Sequence, residues 1–257
     1  MTAFSQTPWI ACAKANPHAK LRLFCFPYAG GSSLVFRNWQ SALPGTIQVC
    51  PIELPGRGYR LMEPLFQDIT SLIKTMVIDI QALCDLPFAF FGHSLGALIS
   101  FELACCLRRE YGQVPVQLFV SGRQAPKIPD FSPINNLSEP DLINEICRLG
   151  GTPKTVLENP EMIKLLLPMI RADLKIDETY KYQYSEPFDC PITVFGGWED
   201  PETKIEDLQA WQEYTTAKFV LKMFSGNHFF INTAQDLLLE SIKVMLFEIA
   251  QGNNNLI

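Results

Sequence analysis

A chain of 257 residues that is 47% hydrophobic and 19% charged carries enough apolar material for a large core, and its net charge of −6 with no basic cluster excludes a nucleic-acid surface. No stretch approaches the length of a membrane span, and Met1 to Ala19 lacks the basic start and long apolar run of a signal peptide. The eight cysteines form no Cys-x-x-Cys pair, and Cys25, Cys50, Cys105, Cys106 and Cys190 sit in or beside apolar runs, the pattern of buried free thiols in a reducing cytoplasm. No metal site is expected, because His18, His93 and His228 are the only histidines and none stands at zinc-ligand spacing.

Short apolar runs predict strands at 21–26, 47–52, 88–92, 116–121, 192–195 and 219–224. Amphipathic stretches between and after them predict helices at 68–83, 95–109, 205–214 and 235–249. Strands alternating with helices, and apolar almost throughout, indicate an α/β fold whose mostly parallel central sheet has helices on both faces. The alternation breaks between Gly122 and Pro191, where prolines punctuate helical runs at 139–148, 160–168 and 169–180. The chain is therefore read as one domain, 1–257, with a helical lid insertion at about 126–188. Within it Met162, Leu165, Leu166 and Ile170 either line a site or only pack the insertion on the body. The 251–257 tail looks frayed.

The chemistry is concentrated after the strands. Strand 21–26 runs into Phe26-Pro-Tyr-Ala-Gly-Gly-Ser32, whose glycines let backbone N–H groups turn inward; Ala29 is named as an oxyanion donor. Phosphate binding by Gly30-Gly31 is improbable, since neither Gly-x-Gly-x-x-Gly nor Gly-Lys-Ser/Thr is present there. In Leu54-Pro-Gly-Arg57-Gly-Tyr-Arg60 the two arginines are read either as phosphate contacts near the mouth of a site or as a plain solvated loop.

Strand 88–92 drives straight into Gly92-x-Ser94-x-Gly96 and then a helix. Chance alone yields that pattern in about one chain of this length in twelve, so its strand–turn–helix setting is what gives it weight. The turn sets Ser94 at a helix N-terminus beyond the sheet, and the following Leu95 N–H is the second oxyanion donor. A serine hydroxyl needs a base, and His228, in Ser225-Gly-Asn-His228, is the one histidine left after Ser94. The orienting acid is Asp200, in Phe195-Gly-Gly-Trp-Glu-Asp200, with Glu199 and Asp130 as rivals. His93 is treated as structural, because its side chain must point away from its neighbour's hydroxyl in a tight turn.

Seven segments in order resemble one family: Phe26-Pro-Tyr-Ala-Gly-Gly31, Glu53-Leu-Pro-Gly-Arg-Gly-x-Arg60, Gly92-His-Ser-Leu-Gly-Ala97, Ser121-Gly-Arg-Gln-Ala-Pro126, Arg171-Ala-Asp173 with Glu178-Thr-Tyr180, Pro191-Ile192 with Gly196-Gly-x-x-Asp-Pro201, and Gly226-Asn-His228-Phe-Phe230. From about Leu21 to Phe230 the chain is similar to the type II thioesterases, the stand-alone editing hydrolases of nonribosomal peptide and polyketide synthases. The resemblance implies an α/β-hydrolase fold and removal of acyl groups from the phosphopantetheine arm of an acyl- or peptidyl-carrier protein. It also implies a serine triad at Ser94, Asp200 and His228, with oxyanion donors at Ala29 and Leu95. Leu95 departs from the Met frequent there, which leaves the backbone donor intact and alters only pocket shape. No cofactor, nucleic acid or membrane is expected, and the protein is read as a cytoplasmic monomer. The alternatives are a general carboxylesterase or lipase with the same triad, and a non-catalytic binding protein on this scaffold.

Overall fold

The strand Leu21–Phe26 (β1) sends Leu21, Leu23 and Cys25 to one face and Phe24 and Phe26 to the other, all buried, so it requires cover on both sides. In the computed structural model, which describes residues 7–11, 15–129, 133–151 and 154–250, that cover is complete. The other strands are β2 (Ile47–Pro51), β3 (Phe88–His93), β4 (Gln117–Ser121), β5 (Ile192–Gly197) and β6 (Phe219–Phe224). Their order is β2-β1-β3-β4-β5-β6 and every pairing is parallel. All six expected strands are present, shifted by at most two residues at their ends.

The helices are α1 (Trp39–Ala42), α2 (Ile69–Ile80), α3 (Leu95–Tyr111), α4 (Glu139–Leu149), α5 (Lys154–Leu157), α6 (Pro160–Glu178), α7 (Ile205–Gln209), α8 (Phe230–Thr233) and α9 (Gln235–Ala250). Side chains of α2, α3 and α7 pack with Phe24, Phe90, Val120 and Val194 on one face of the sheet. Trp39 of α1 and Leu238, Ile242 and Leu246 of α9 pack with Leu23, Phe91 and Phe195 on the other. This is the α/β-hydrolase arrangement that the sequence led us to expect. Among the described residues the cysteines are free thiols, and no helix is long and apolar enough to cross a membrane.

One boundary is corrected. The expected break at Pro168 is absent, and α6 runs unbroken from Pro160 to Glu178 with the proline inside it. Proline removes one helical N–H and crowds the preceding turn. Here Leu167, Met169 and Ile170, buried against Leu142 and Ile146 of α4, hold the helix through that defect. Its start is conventional: the Asn159 side chain accepts from the Glu161 and Met162 N–H groups, and Pro160 takes the first helical position.

The parallel order gathers the loops after β1, β3, β4, β5 and β6 along one edge of the sheet. Two glycines let α3 come close to that edge. A Cβ on Gly92 would lie 2.2 Å from the Gly96 carbonyl oxygen, and one on Gly96 would lie 2.1 Å from the Phe26 carbonyl oxygen. Both obstacles are backbone, which has nowhere to retreat. Gly96→Ala is therefore expected to lower stability by about 1–3 kcal/mol or more, as overpacking does, read as a lower urea midpoint at an unchanged denaturant slope.

Candidate active site

Ser94 sits between β3 and α3 at φ 54°, ψ −118°, and is the one non-glycine residue with positive φ among the described residues. Its N–H donates to the Ser121 carbonyl at the end of β4, and its carbonyl accepts from Ala97. Those bonds hold the backbone in a conformation L-residues avoid, with the side chain making no capping bond to the helix. The first N–H groups of α3, beginning with Leu95, have no carbonyl one turn earlier in the helix to receive them. Gly96 brings that helix start against the Phe26–Pro27 carbonyls, so Leu95 lies beside the loop that carries Ala29.

His228 and Asp200 meet. His228 Nδ1 lies 2.9 Å from Asp200 Oδ2, and both side chains are buried. The loops carrying them leave β5 and β6, whose ends pair Gly197 with Phe224. Asp200 also accepts from the Glu202 N–H at 2.9 Å and the Thr203 hydroxyl at 3.0 Å. Burial works to raise its pKa, but the His228 hydrogen bond and charge, with these two donors, outweigh it and hold the carboxyl below its ordinary value. Of the rival acids, Glu199 is exposed and accepts from the Gly226 N–H instead, and Asp130 lies outside the described residues.

His93 is structural, as expected. Its Nδ1 lies 2.8 Å from the Ser121 hydroxyl, and its ring packs 5.2 Å from that of His228 and against Tyr28 and Phe230. Burial pushes its pKa down to about 3, with His228 acting in the same direction and Asp200 against it.

The arginines of the Pro/Gly loop are not at a mouth and are not solvated, which corrects both readings of them. Arg57, 5% exposed, makes a two-pronged pair with Asp173 of α6, at 2.7 and 2.8 Å, and donates to the Gly31 carbonyl at 2.8 Å. Arg60, also buried, pairs with Glu63, donates to the Glu53 carbonyl and lies 4.1 Å above the Trp9 ring. The loop dipeptides suggested solvent, but Arg57 finds its carboxylate 116 residues downstream, and the Trp9 ring of the N-terminal segment covers Arg60. Asp173, to which the sequence reading gave no role beyond the Arg171-Ala-Asp173 match, accepts from the Gly30 N–H and so touches the loop that lines the cavity.

Ser94, Ala29 and His228 line one cavity of about 1190 Å³. Ile146 of α4 with Leu166 and Ile170 of α6 supply apolar wall from the insertion, while Met162 and Leu165 are largely exposed. A second pair, between buried Arg123 and half-buried Asp177 at 2.5 Å, ties α6 to the loop after β4. The site thus combines a serine at a helix N-terminus, an imidazole oriented by a carboxylate, and a chamber of mixed polarity with one apolar wall from α4 and α6.

A family model described as Thioesterase domain matches residues 21–246. The chain belongs to the thioesterase family. This thioesterase is 44% identical over 245 residues to the gramicidin S biosynthesis protein GrsT of Aneurinibacillus migulanus, covering 93% of this chain and 94% of that one. Among solved structures it resembles the RedJ thioesterase from the prodiginine biosynthetic pathway in Streptomyces coelicolor, with TM-score 0.84, 38% identity, and 94% and 92% of the two chains covered. It also resembles the type II thioesterase BorB from the borrelidin biosynthetic cluster, with TM-score 0.83, 33% identity, and coverage of 91% and 96%. The thioesterase is a thioester hydrolase.

The His93 shift has a consequence for stability. Between its ordinary value of 6.5 and about 3, the unfolded chain binds a proton that the folded one refuses. Stability therefore falls as pH drops through that window and is untouched by this group above it. Urea midpoints are expected to decline from pH 7 to pH 4.5, and His93→Asn is expected to flatten that decline; an equally steep decline in the variant contradicts the assignment.

Proposed function

We propose that this thioesterase removes acyl groups from the phosphopantetheine arm of acyl- or peptidyl-carrier proteins, in an editing role beside a peptide or polyketide synthase, through an acyl-serine at Ser94. The observation that carries the reading is the His228–Asp200 contact on a cavity that Ser94 also lines. With Nδ1 engaged by Asp200, the other ring nitrogen is the base. His228 takes the Ser94 proton as Oγ attacks the thioester carbonyl, and the Ala29 and Leu95 N–H groups receive the oxyanion. Collapse breaks the carbon–sulfur bond, and the departing thiolate takes the proton from His228. Water, deprotonated by His228, then attacks the acyl-serine; the tetrahedral adduct releases the carboxylic acid and returns the proton to Ser94.

The phosphopantetheine belongs to the substrate protein, so the chain itself supplies no cofactor in this scheme. The apolar wall from α4 and α6 suits an acyl chain, and relatives named for biosynthetic pathways support the carrier-bound substrate. In this reading the insertion acts as a lid, and the protein works as a cytoplasmic monomer.

The test is hydrolysis of one panel of acyl groups loaded in turn on a carrier protein, on coenzyme A and on a simple alcohol. Highest kcat/KM is expected on the carrier; preference for the oxygen ester would assign a general esterase instead. Ser94→Ala is expected to lower turnover by about 10⁴–10⁶ with folding intact, and Asp200→Asn by about 10⁴. Wild-type activity in Ser94→Ala would remove the acyl-serine; an active Asp200→Asn with a crippled Asp130→Asn would move the acid.

A further inference from the structure

The turn from Tyr28 to Gly31 is held by three bonds outside the proton relay. The Gly31 N–H donates to the Tyr28 carbonyl at 2.8 Å, the Gly30 N–H to Asp173 Oδ2 at 2.8 Å, and Arg57 to the Gly31 carbonyl at 2.8 Å. In a planar trans peptide the carbonyl and the following N–H point in opposite directions. Pinning the Tyr28 carbonyl to Gly31 therefore aims the Ala29 N–H away from the turn. Gly30, at φ +76°, has backbone freedom of its own and does not fix that geometry unaided. A carboxylate from α6, itself locked by the two prongs of Arg57, holds the next peptide of the turn through the Gly30 N–H.

We propose that Asp173 is a positioning residue for the hydrolysis: it holds the Gly30 N–H so that the Ala29 N–H stays aimed at the developing oxyanion. The proposal rests on the reading of Ala29 as an oxyanion donor. It makes α6, which also lines the acyl chamber, a determinant of the shape of the loop that meets the carbonyl. Anchoring of α6 does not depend on this carboxylate alone. Arg123–Asp177 ties the same helix one turn later, and the Tyr180 hydroxyl donates to Glu102 at 2.6 Å just beyond its end. Tyr180 is outside the chamber and supplies a control for loosening α6.

The experiment measures kcat and KM of Asp173→Ala, Asp173→Asn and Tyr180→Phe on an acyl N-acetylcysteamine thioester. It also measures their affinity for a trifluoromethyl ketone, which forms an oxyanion adduct with a reactive serine. Losing an oxyanion donor lowers kcat by about 10²–10³, and that loss is expected for Asp173→Ala with KM little changed. Asp173→Asn keeps an oxygen for Gly30 and is expected to recover all but about tenfold of it; Tyr180→Phe is expected to keep wild-type kcat. Ketone affinity is expected to fall in step with kcat/KM. An equal kcat loss in Tyr180→Phe, or unchanged ketone affinity in Asp173→Ala, overturns the role. Should Asp173→Ala not fold, Asp173→Asn decides alone, and wild-type kcat in it overturns the role. Ser94→Ala is run beside them: if it is inactive while the Asp173 variants are normal, only the positioning role falls, whereas an active Ser94→Ala removes the acyl-serine and this role together.

Discussion

The contact between the start of α3 and the exit of β1 is what the rest of the site is built around. Only hydrogen at Gly96 leaves room for the Phe26 carbonyl, and only hydrogen at Gly92 leaves room for the helix to fold back over its own strand. That approach accompanies the strained serine backbone and sets the start of α3 close to the glycine loop. The parallel register then sets the distances to everything else. Phe26 pairs with Gly92, His93 with Ser121, and Gly197 with Phe224, so groups far apart in the chain arrive along a single edge. The sheet brings the loops after β5 and β6 side by side, and their own contacts, Glu199 N–H to the Gly226 carbonyl and His228 to Asp200, complete the arrangement.

Charge performs a different task from the apolar core. The core fills both faces of the sheet, whereas α6 is tied down by ion pairs to two buried arginines, Arg57–Asp173 and Arg123–Asp177. Such pairs add little net stability over a well-packed apolar contact, but removing one member costs about 3–5 kcal/mol, because the other charge is left buried. They therefore set position and register more than they hold the fold together. A helix that walls a chamber and reaches the glycine loop needs that kind of fixing.

The strands were legible because their runs are mostly apolar and are closed by glycine or proline at or shortly after their ends, and the position of Ser94 followed from where its strand stopped. His228 was legible by exhaustion, as the last histidine available. Adjacent acids are another matter: Glu199 and Asp200 differ by one residue in their spacing to His228, and only the bend after Gly197 turns one inward and leaves the other on the surface. Pro168 misled because a local rule met a stronger tertiary one, the burial of its neighbours against α4. The arginines at 57 and 60 misled for a related reason. A loop rich in proline and glycine reads as solvated, and nothing local announces that Asp173 and Trp9 will close over it.

The backbone conformation at Ser94 sets fold and chemistry at odds. A side chain held at positive φ in this region costs about 1–3 kcal/mol, which glycine would not incur. Under the role proposed for Ser94, one substitution to glycine would both relax the backbone and remove the nucleophile, so the position that most limits rigidity in the turn is also the one the reaction would require.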